Sequence, residues 1–319
     1  SLIAGYAQQC RGYEAFKCFE RMRYEGYLVD AITFICILKA CDTIGAIDKG
    51  KEIHNETVYR GLINTNIVLG TSLVDMYARC GLFTEAQYVL DVLPIRNEVS
   101  WSALIEGYTH NREDHEALNC LEQMRAEGIS PNAITFISIL KACGNTGAIN
   151  EGIKIHDEIE TRRDLLEKDI VLGTALVDMY VKCEMLAKAK LVLQGLPIRN
   201  VVCWNALITG YTEHGHGHEA LKSLERMQIE GFSPDSVTFL SIMKACGRIG
   251  ALDKGKHFHH EILNRGFLGK DVMLCNALVD MYAKCGMLAQ AQKVLEECPI
   301  RDVVTWNTLI QGYAEYGQC

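Results

Sequence analysis

Three copies of one His-x-Glu triplet, His54/Glu56, His156/Glu158 and His259/Glu261, are the residues of this 319-residue chain best suited to chemistry. An imidazole and a carboxylate at this spacing divide the work of zinc deaminases: the histidine ligates the metal and the glutamate moves the proton. A Pro-Cys-x-x-Cys segment must then supply the other ligands. The chain has fourteen cysteines, but no two stand at Cys-x-x-Cys spacing. A second cluster, His214-Gly-His216-Gly-His218, alternates imidazoles that could hold a metal. It overlaps Gly215-x-Gly217-x-x-Ala220, a fragment of a dinucleotide fingerprint, yet no strand pattern precedes it and the fingerprint lacks its context. No nucleophile elbow, phosphate loop or paired-carboxylate arrangement occurs. The expectation is a chain with no catalytic residue, no metal site and no cofactor.

The elements that carry these residues repeat. All three His-x-Glu triplets fall at one place in a long period, as a structural consensus does and a unique site does not. Trp101, Trp204 and Trp306 lie 103 and 102 residues apart, and Pro94, Pro197 and Pro299 each head a Pro-Ile-Arg triplet. Each period divides into three unequal units, so that the array over 1–319 runs 1–30 (partial), 31–66, 67–97, 98–132, 133–169, 170–200, 201–235, 236–271, 272–302 and 303–319 (partial). On this division the sequence, opening in SLIAGY, begins and ends inside a repeat, and no targeting segment is expected within it. Within 98–132, Leu104, Ile105 and Tyr108 follow one helical stripe, and Ala117, Leu118, Leu121 and Met124 follow another. Gly26, Gly128 and Gly231 mark the ends of second helices, with Pro131 and Pro234 close behind. A lone hairpin cannot bury its stripe, whereas stacked hairpins can, so the pattern predicts an all-α solenoid. The phased cysteines, Cys41, Cys143 and Cys246 in one set and Cys80, Cys183 and Cys285 in another, read as small buried hydrophobes in a reducing compartment. The tryptophans, fixed in each first helix, read as packing between repeats.

Composition narrows the function. Hydrophobic residues make up 49% of the chain, which excludes disorder, and no apolar run is long enough for a membrane span. The formal net charge of −8 argues against duplex nucleic-acid binding driven by charge. It leaves open a solenoid that reads bases by hydrogen bonds and stacking, and a helical scaffold that holds proteins in its groove.

Three motifs carry a family resemblance. Val-Val-Cys-Trp-Asn-Ala-Leu-Ile-Thr-Gly-Tyr (201–211) is similar to the opening of the normal pentatricopeptide repeat (PPR) motif. Thr-Phe-Ile-Ser-Ile-Leu-Lys-Ala-Cys (135–143) resembles the long motif, and Ala-Leu-Val-Asp-Met-Tyr-Val-Lys-Cys (175–183) the short one. The chain resembles, along its whole length, the plant-type subclass that alternates normal, long and short (PLS) repeats. A tetratricopeptide array, with its uniform period, does not fit the unequal units. The resemblance implies a right-handed superhelix that binds single-stranded RNA one base per repeat. It also implies a role as the recognition part of a mitochondrial or chloroplast editing (C-to-U) or processing factor. The partners would be an organellar transcript and other editing or processing factors. Many relatives carry a deaminase-like domain after the repeats, and this sequence is expected to stop before any such region.

In the family the fifth and last residues of a repeat select the base. Carried over, these pairs are Thr71 with Asn97, Ser102 with Asn132, Thr174 with Asn200, Asn205 with Asp235, and Asn276 with Asp302. The first three imply adenine and the last two uracil. Asp30 closes the partial first repeat, and Asn307 is the fifth residue of the partial last one. Second residues Val68, Val99, Val171, Val202, Met273 and Val304 would flank the bases, with Met273 departing from the usual branched type. Plain helix capping is the competing explanation for Ser, Thr and Asn at fifth positions. Against it, the long repeats carry Ile35, Ile137 and Leu240 there, and capping predicts no link between fifth and last residues.

Overall fold

Apolar residues at helical spacing, broken by Gly and polar turns, give hairpins. In the computed structural model every regular element among the described residues, 2–269 and 271–315, is an α-helix. Ser1, Lys270 and residues 316–319, which include the ends of both partial repeats, lie outside the described residues. The chain forms two units, Ser1–Glu158 and Ile159–Cys319. In the first, α1 (Leu2–Gln8) pairs with α2 (Gly12–Tyr24), α3 (Ala31–Ile44) with α4 (Ile47–Tyr59), and α5 (Ile67–Arg79) with α6 (Phe83–Val92). There α7 (Glu98–His110) pairs with α8 (Asp114–Ala126), and α9 (Ala133–Thr146) leads into α10 (Ile149–Thr161), whose last turn belongs to the second unit. The second unit continues with the short α11 (Arg163–Lys168) and the pair α12 (Ile170–Lys182) and α13 (Leu186–Gly195). Next come α14 (Val201–Glu213) with α15 (Gly217–Ile229), α16 (Ser236–Ile249) with α17 (Leu252–Asn264), α18 (Val272–Lys284) with α19 (Leu288–Glu297), and α20 (Val303–Glu315).

Within each unit the first helices stack side by side: α5 lies between α3 and α7, and α14 between α12 and α16. They are therefore buried on two sides. Helix α5 encloses Leu69, Leu73, Val74, Met76 and Tyr77, whereas α6 buries only Ala86, Val89 and Leu90. Each enclosed Leu or Val contributes roughly 1.5–3 kcal/mol, and part of that contact comes from neighbouring hairpins, so no hairpin is self-sufficient. This is the expected all-α solenoid of stacked hairpins.

Small residues set how closely the helices approach. A Cβ on Gly107 would stand 2.3 Å from the Cβ of Ala78, so α7 crosses α5 almost backbone to backbone; at the equivalent places Gly312 faces the Ala283 Cβ and Gly210 makes room for the Val181 side chain. Gly70 leaves room for the Leu93 side chain, and Gly173 for Leu196. In the third copy both partners change together, to the fully buried Cys275 and Cys298. The phased cysteines divide: Cys41, Cys143 and Cys246 are buried, but Cys80, Cys183 and Cys285, at the C-caps of α5, α12 and α18, are only half-buried. Trp101 and Trp204 lie in the interior as expected, whereas Trp306 is 49% exposed, because its helix packs only on α18 and α19 among the described residues. No helix there is long and apolar enough to cross a membrane.

Gly26, Gly128 and Gly231 end α2, α8 and α15 with positive φ, and the following amides bond back across the last turn, Ile129 to the Met124 carbonyl at 3.1 Å. After α5 and α18 the left-handed residue is Gly81 or Gly286, but after α12 it is Glu184, with φ 59°. A side chain in that conformation costs about 1–2 kcal/mol, part of which a glycine returns as unfolded-chain entropy. We expect Glu184→Gly to stabilise the protein by roughly 0.5–1 kcal/mol, read as a higher denaturant midpoint. An unchanged or lower midpoint would contradict strain at this turn.

Candidate nucleic-acid interface

The start of every first helix from α3 onward is built around an Asn or Asp. Oδ1 of Asn97 accepts from the Ser100 amide at 3.0 Å, that of Asn132 from Thr135 at 3.0 Å, and that of Asn200 from Cys203 at 2.9 Å. Oδ1 of Asp30, Asp235 and Asp302 accepts from the amides of Thr33, Thr238 and Thr305 at 2.8, 2.9 and 2.9 Å. The long repeats end likewise, Asn66, Asp169 and Asp271 capping α5, α12 and α18. The capping residue is thus the last residue of a repeat and not the fifth, which sits a full turn inside the helix. Capping therefore does not explain the fifth positions. It instead fixes what the last residue has left to offer. Only the amide oxygen can accept, so each capping Asn is left with Nδ2, a pure donor; each capping Asp is left with Oδ2, a pure acceptor. The Thr33 hydroxyl and amide hold the Asp30 carboxyl below its ordinary range, and the Thr305 amide and hydroxyl do the same for Asp302.

The fifth residues lie where one hairpin meets the next. Ser102 is buried; its Oγ donates to the Glu98 carbonyl at 2.6 Å and lies 3.2 Å from Asn132 Oδ1 and 2.6 Å from Thr135 Oγ1. Asn205 is also buried, with Nδ2 donating to both Asp235 oxygens at 3.0 and 3.2 Å and Oδ1 accepting from the Thr238 hydroxyl at 2.6 Å. Asn276 reaches Asp302 Oδ1 at 3.3 Å. Thr174 donates to the Ile170 carbonyl at 2.9 Å and meets Cys203 Sγ at 2.9 Å instead of Asn200. Thr71 is half-buried and shares no hydrogen bond with Asn97 among the described residues, while Asp30 and Asn307 are exposed. Three of the five complete pairs are thus in direct contact. The residues that sequence reasoning missed are the third ones, Thr135, Cys203 and Thr238, which touch fifth residues across the interface. Their signal was a hydroxyl or thiol recurring two residues after the starts of α3, α7, α9, α14, α16 and α20, where α5, α12 and α18 carry Leu.

Second residues form the exposed part of this surface. Val68, Val99, Val171, Val202, Met273 and Val304 are each 50–60% exposed at the first turn of their helices. Ile32, Ile134 and Val237 of the long repeats, absent from the sequence-based set, are exposed in the same way. Within each unit these ends lie side by side, giving a row of half-exposed branched side chains, the kind of apolar surface that marks a binding face. Ile35, Ile137 and Leu240, the fifth residues of the long repeats, are half-buried.

The His-x-Glu residues are occupied by packing. His54 Nδ1 is 3.0 Å from the Tyr77 hydroxyl and His259 Nδ1 is 2.9 Å from that of Tyr282. Glu56 pairs with Arg60, Glu261 with Arg265, and Glu158 with Arg125 at 2.8 Å. Burial pushes both His54 and His259 below the ordinary imidazole range. His214 and His216 flank the α14–α15 turn, and the His216 ring stands edge-on to Tyr211. Among the described residues no group of three or more His, Cys, Asp or Glu is arranged to hold a metal ion.

The fold and this surface define an α-helical repeat protein whose stacked first helices present polar pairs beside an apolar row. The profile described as PPR repeat family matches residues 96–145 and 199–248, and the PPR repeat profile matches 1–27, 237–267, 274–302 and 304–319. The chain belongs to the pentatricopeptide repeat family. A chloroplastic pentatricopeptide repeat-containing protein of Arabidopsis thaliana is 35% identical over the whole chain, which covers 51% of that protein; a mitochondrial one is 34% identical over 99% of the chain and 46% of its own length. The chain spans about half the length of the curated relatives it matches. The crystal structure of the pentatricopeptide repeat protein PPR10 in complex with an 18-nt psaJ RNA element has the same fold, with a TM-score of 0.73 at 18% identity over 99% of this chain and 52% of that one.

Two outcomes follow from the geometry. Asn132→Ala removes a cap and is expected to cost about 1 kcal/mol of stability, whereas Asn132→Asp caps equally well and should be close to neutral. Equal losses in thermal melts of the two variants would contradict the capping role. The histidines give a pH dependence. Their folded-state affinity for protons is depressed, so their contribution is complete above the unfolded value of about 6.5 and is lost as pH falls below it. The melting midpoint should drop between about pH 7.5 and 5.5, and drop less in His54→Gln/His259→Gln. An equal drop in both proteins would assign the acid sensitivity elsewhere.

Proposed function

We propose that this chain binds single-stranded RNA one base per repeat. On this reading it is a PLS-subclass array forming the recognition part of an organellar C-to-U editing or processing factor, in the chloroplast or mitochondrion, with no chemistry of its own. The observation that carries the reading is the atom each cap leaves over. Adenine offers an amino donor at N6 beside the acceptor N1. Ser102 Oγ, its own proton directed to the Glu98 carbonyl, is an acceptor, and Asn132 Nδ2 is a donor. Uracil offers the reverse, the O4 acceptor beside the N3–H donor. One Asn205 Nδ2 proton is shared between the two Asp235 oxygens, which leaves the other to donate, and Asp235 Oδ2 keeps a lone pair to accept. The two edges are complementary in opposite senses, which gives a physical basis for preferring adenine with Ser or Thr and Asn, and uracil with Asn and Asp. Second residues Val68, Val99, Val171, Val202, Met273 and Val304 would sandwich the bases. The long repeats, with apolar fifth residues, would take a base without reading its edge. The RNA-bound PPR10 structure and the chloroplastic and mitochondrial relatives support the class of ligand and the compartment.

In chain order, from 67–97 to 272–302, the preferred site is A-A-N-A-U-N-U, written 5′ to 3′, with N opposite long repeats. Asn307 would add a pyrimidine once its partner is supplied. Changing Thr174→Asn together with Asn200→Asp reverses donor and acceptor and should switch the fourth base from A to U. Each wrong base should cost about 1 kcal/mol, roughly fivefold in competition binding. If wild type and double variant rank the two RNAs alike, selection does not reside in these pairs. Failure of random RNA pools to enrich any register would favour a protein-binding scaffold.

A further inference from the structure

We propose that the third residue of the following first helix is a positioning residue for base selection: Thr135 for Ser102, Cys203 for Thr174 and Thr238 for Asn205. The inference rests on the base-selection reading above and adds to it a residue from the neighbouring repeat.

The argument is one of proton accounting. A hydroxyl has one proton. With the Ser102 proton on its nearer carbonyl acceptor, Glu98 at 2.6 Å rather than Asn132 Oδ1 at 3.2 Å, the 2.6 Å contact between Ser102 Oγ and Thr135 Oγ1 falls to the Thr135 proton, which bonds there in preference to Asn132 Oδ1 at 3.1 Å. Ser102 then faces a base as an acceptor only. Without Thr135 only the Glu98 carbonyl would hold the Ser102 hydroxyl in that orientation, and the distinction between base edges would weaken. At Asn205 the same role takes another form. The Asp235 carboxylate can only accept, so the amide must turn Nδ2 toward it, and the Thr238 hydroxyl donates into Oδ1 at 2.6 Å on the other side. A flipped amide would set carbonyl against carboxylate and leave Thr238 without that acceptor. Thr238 and Asp235 together fix which face of Asn205 is the donor.

Two places in the chain vary the third contact, the second of them with the selector pair held constant. Cys203 stands where Thr135 and Thr238 stand, 2.9 Å from Thr174 Oγ1, and a thiol is a weak donor. Thr174 therefore has the least firmly set polarity of the three. The second place is the other Asn/Asp pair. There the Thr305 hydroxyl reaches Asp302 Oδ1 at 2.9 Å, as Thr238 also reaches Asp235 Oδ1 at 2.9 Å, but Asn276 Oδ1 is buried with no partner among the described residues, where Asn205 Oδ1 has Thr238 at 2.6 Å. The selector pair is the same as Asn205/Asp235, but the third contact is missing. If the pair alone decided, both repeats would discriminate equally. With the third residue involved, uracil should be favoured more strongly opposite 201–235 than opposite 272–302.

The test is competition binding to RNAs differing in a single base, read as the ratio of affinities for U and A. We expect Cys203→Thr to sharpen adenine preference opposite 170–200 by roughly three- to tenfold. The isosteric Thr238→Val should reduce uracil preference opposite 201–235 by a similar factor, leave the ratios at other positions unchanged, and be rescued by Thr238→Ser. Ratios that stay fixed while affinity or melting temperature falls uniformly would assign these residues to helix capping alone and overturn the inference. Cys203→Thr adds a hydroxyl rather than removing one, so a Thr238 variant that fails to fold still leaves a decisive result. If the wild type itself shows no preference at these bases, the base-selection reading fails, and the inference with it.

Discussion

A helix start leaves backbone N–H groups without intrahelical partners, and a stack of hairpins brings many such starts together at one edge. Here each first-helix start from α3 onward is closed by an Asn or Asp at the end of the preceding repeat. The cap takes one of two terminal side-chain atoms and points the other away from the helix. Folding thereby decides which hydrogen-bonding group remains, and the choice between Asn and Asp changes its sign without removing the cap. On the proposed reading, stability and recognition are carried by the same residue with different atoms. Thr135 and Thr238 stand at both, closing the cap on one side and touching the fifth residue of the previous first helix on the other.

The repeat period, the hairpins and the enclosed first helices were legible because tryptophan, proline and the aliphatic stripes recur at fixed intervals. The second residues were legible only in part. A half-exposed Ile32 or Val237 looks in sequence like any helix residue, and only the stacking of helix starts shows that long repeats present the same apolar row. The capping explanation of the fifth positions fails for a physical reason. Counting from the repeat start suggests that Ser102 or Thr174 could cap, but the cap belongs to the residue before the helix, which the sequence assigns to the previous repeat. Contacts such as Thr174 with Cys203 depend on how hairpins stack, and helical periodicity within one repeat carries no trace of them.

The acidic balance of the chain fits recognition led by bases. Several cations are already engaged: Arg79 with Asp75 and Glu106 at 2.7 and 2.8 Å, Arg125 with Glu158 and Glu122 at 2.8 and 2.9 Å, Arg96 with Glu127 at 3.0 Å. The Arg79–Glu106, Arg125–Glu158 and Arg96–Glu127 pairs link neighbouring hairpins, and all five would have to break before these cations could meet phosphates. The proposed ligand would be held chiefly by aliphatic side chains against base faces and by the paired polar atoms against base edges.

The central claim is that the capping Asn offers its amide nitrogen to N1 of adenine. Atom-by-atom change of the RNA tests it most directly, with 1-deazaadenosine or 7-deazaadenosine placed opposite the repeat that carries Ser102 and Asn132. Loss of N1 should weaken binding by about 1 kcal/mol, roughly fivefold, while loss of N7 should leave it unchanged. Equal affinities for the 1-deaza and natural RNAs, or a loss confined to the 7-deaza RNA, would contradict the account.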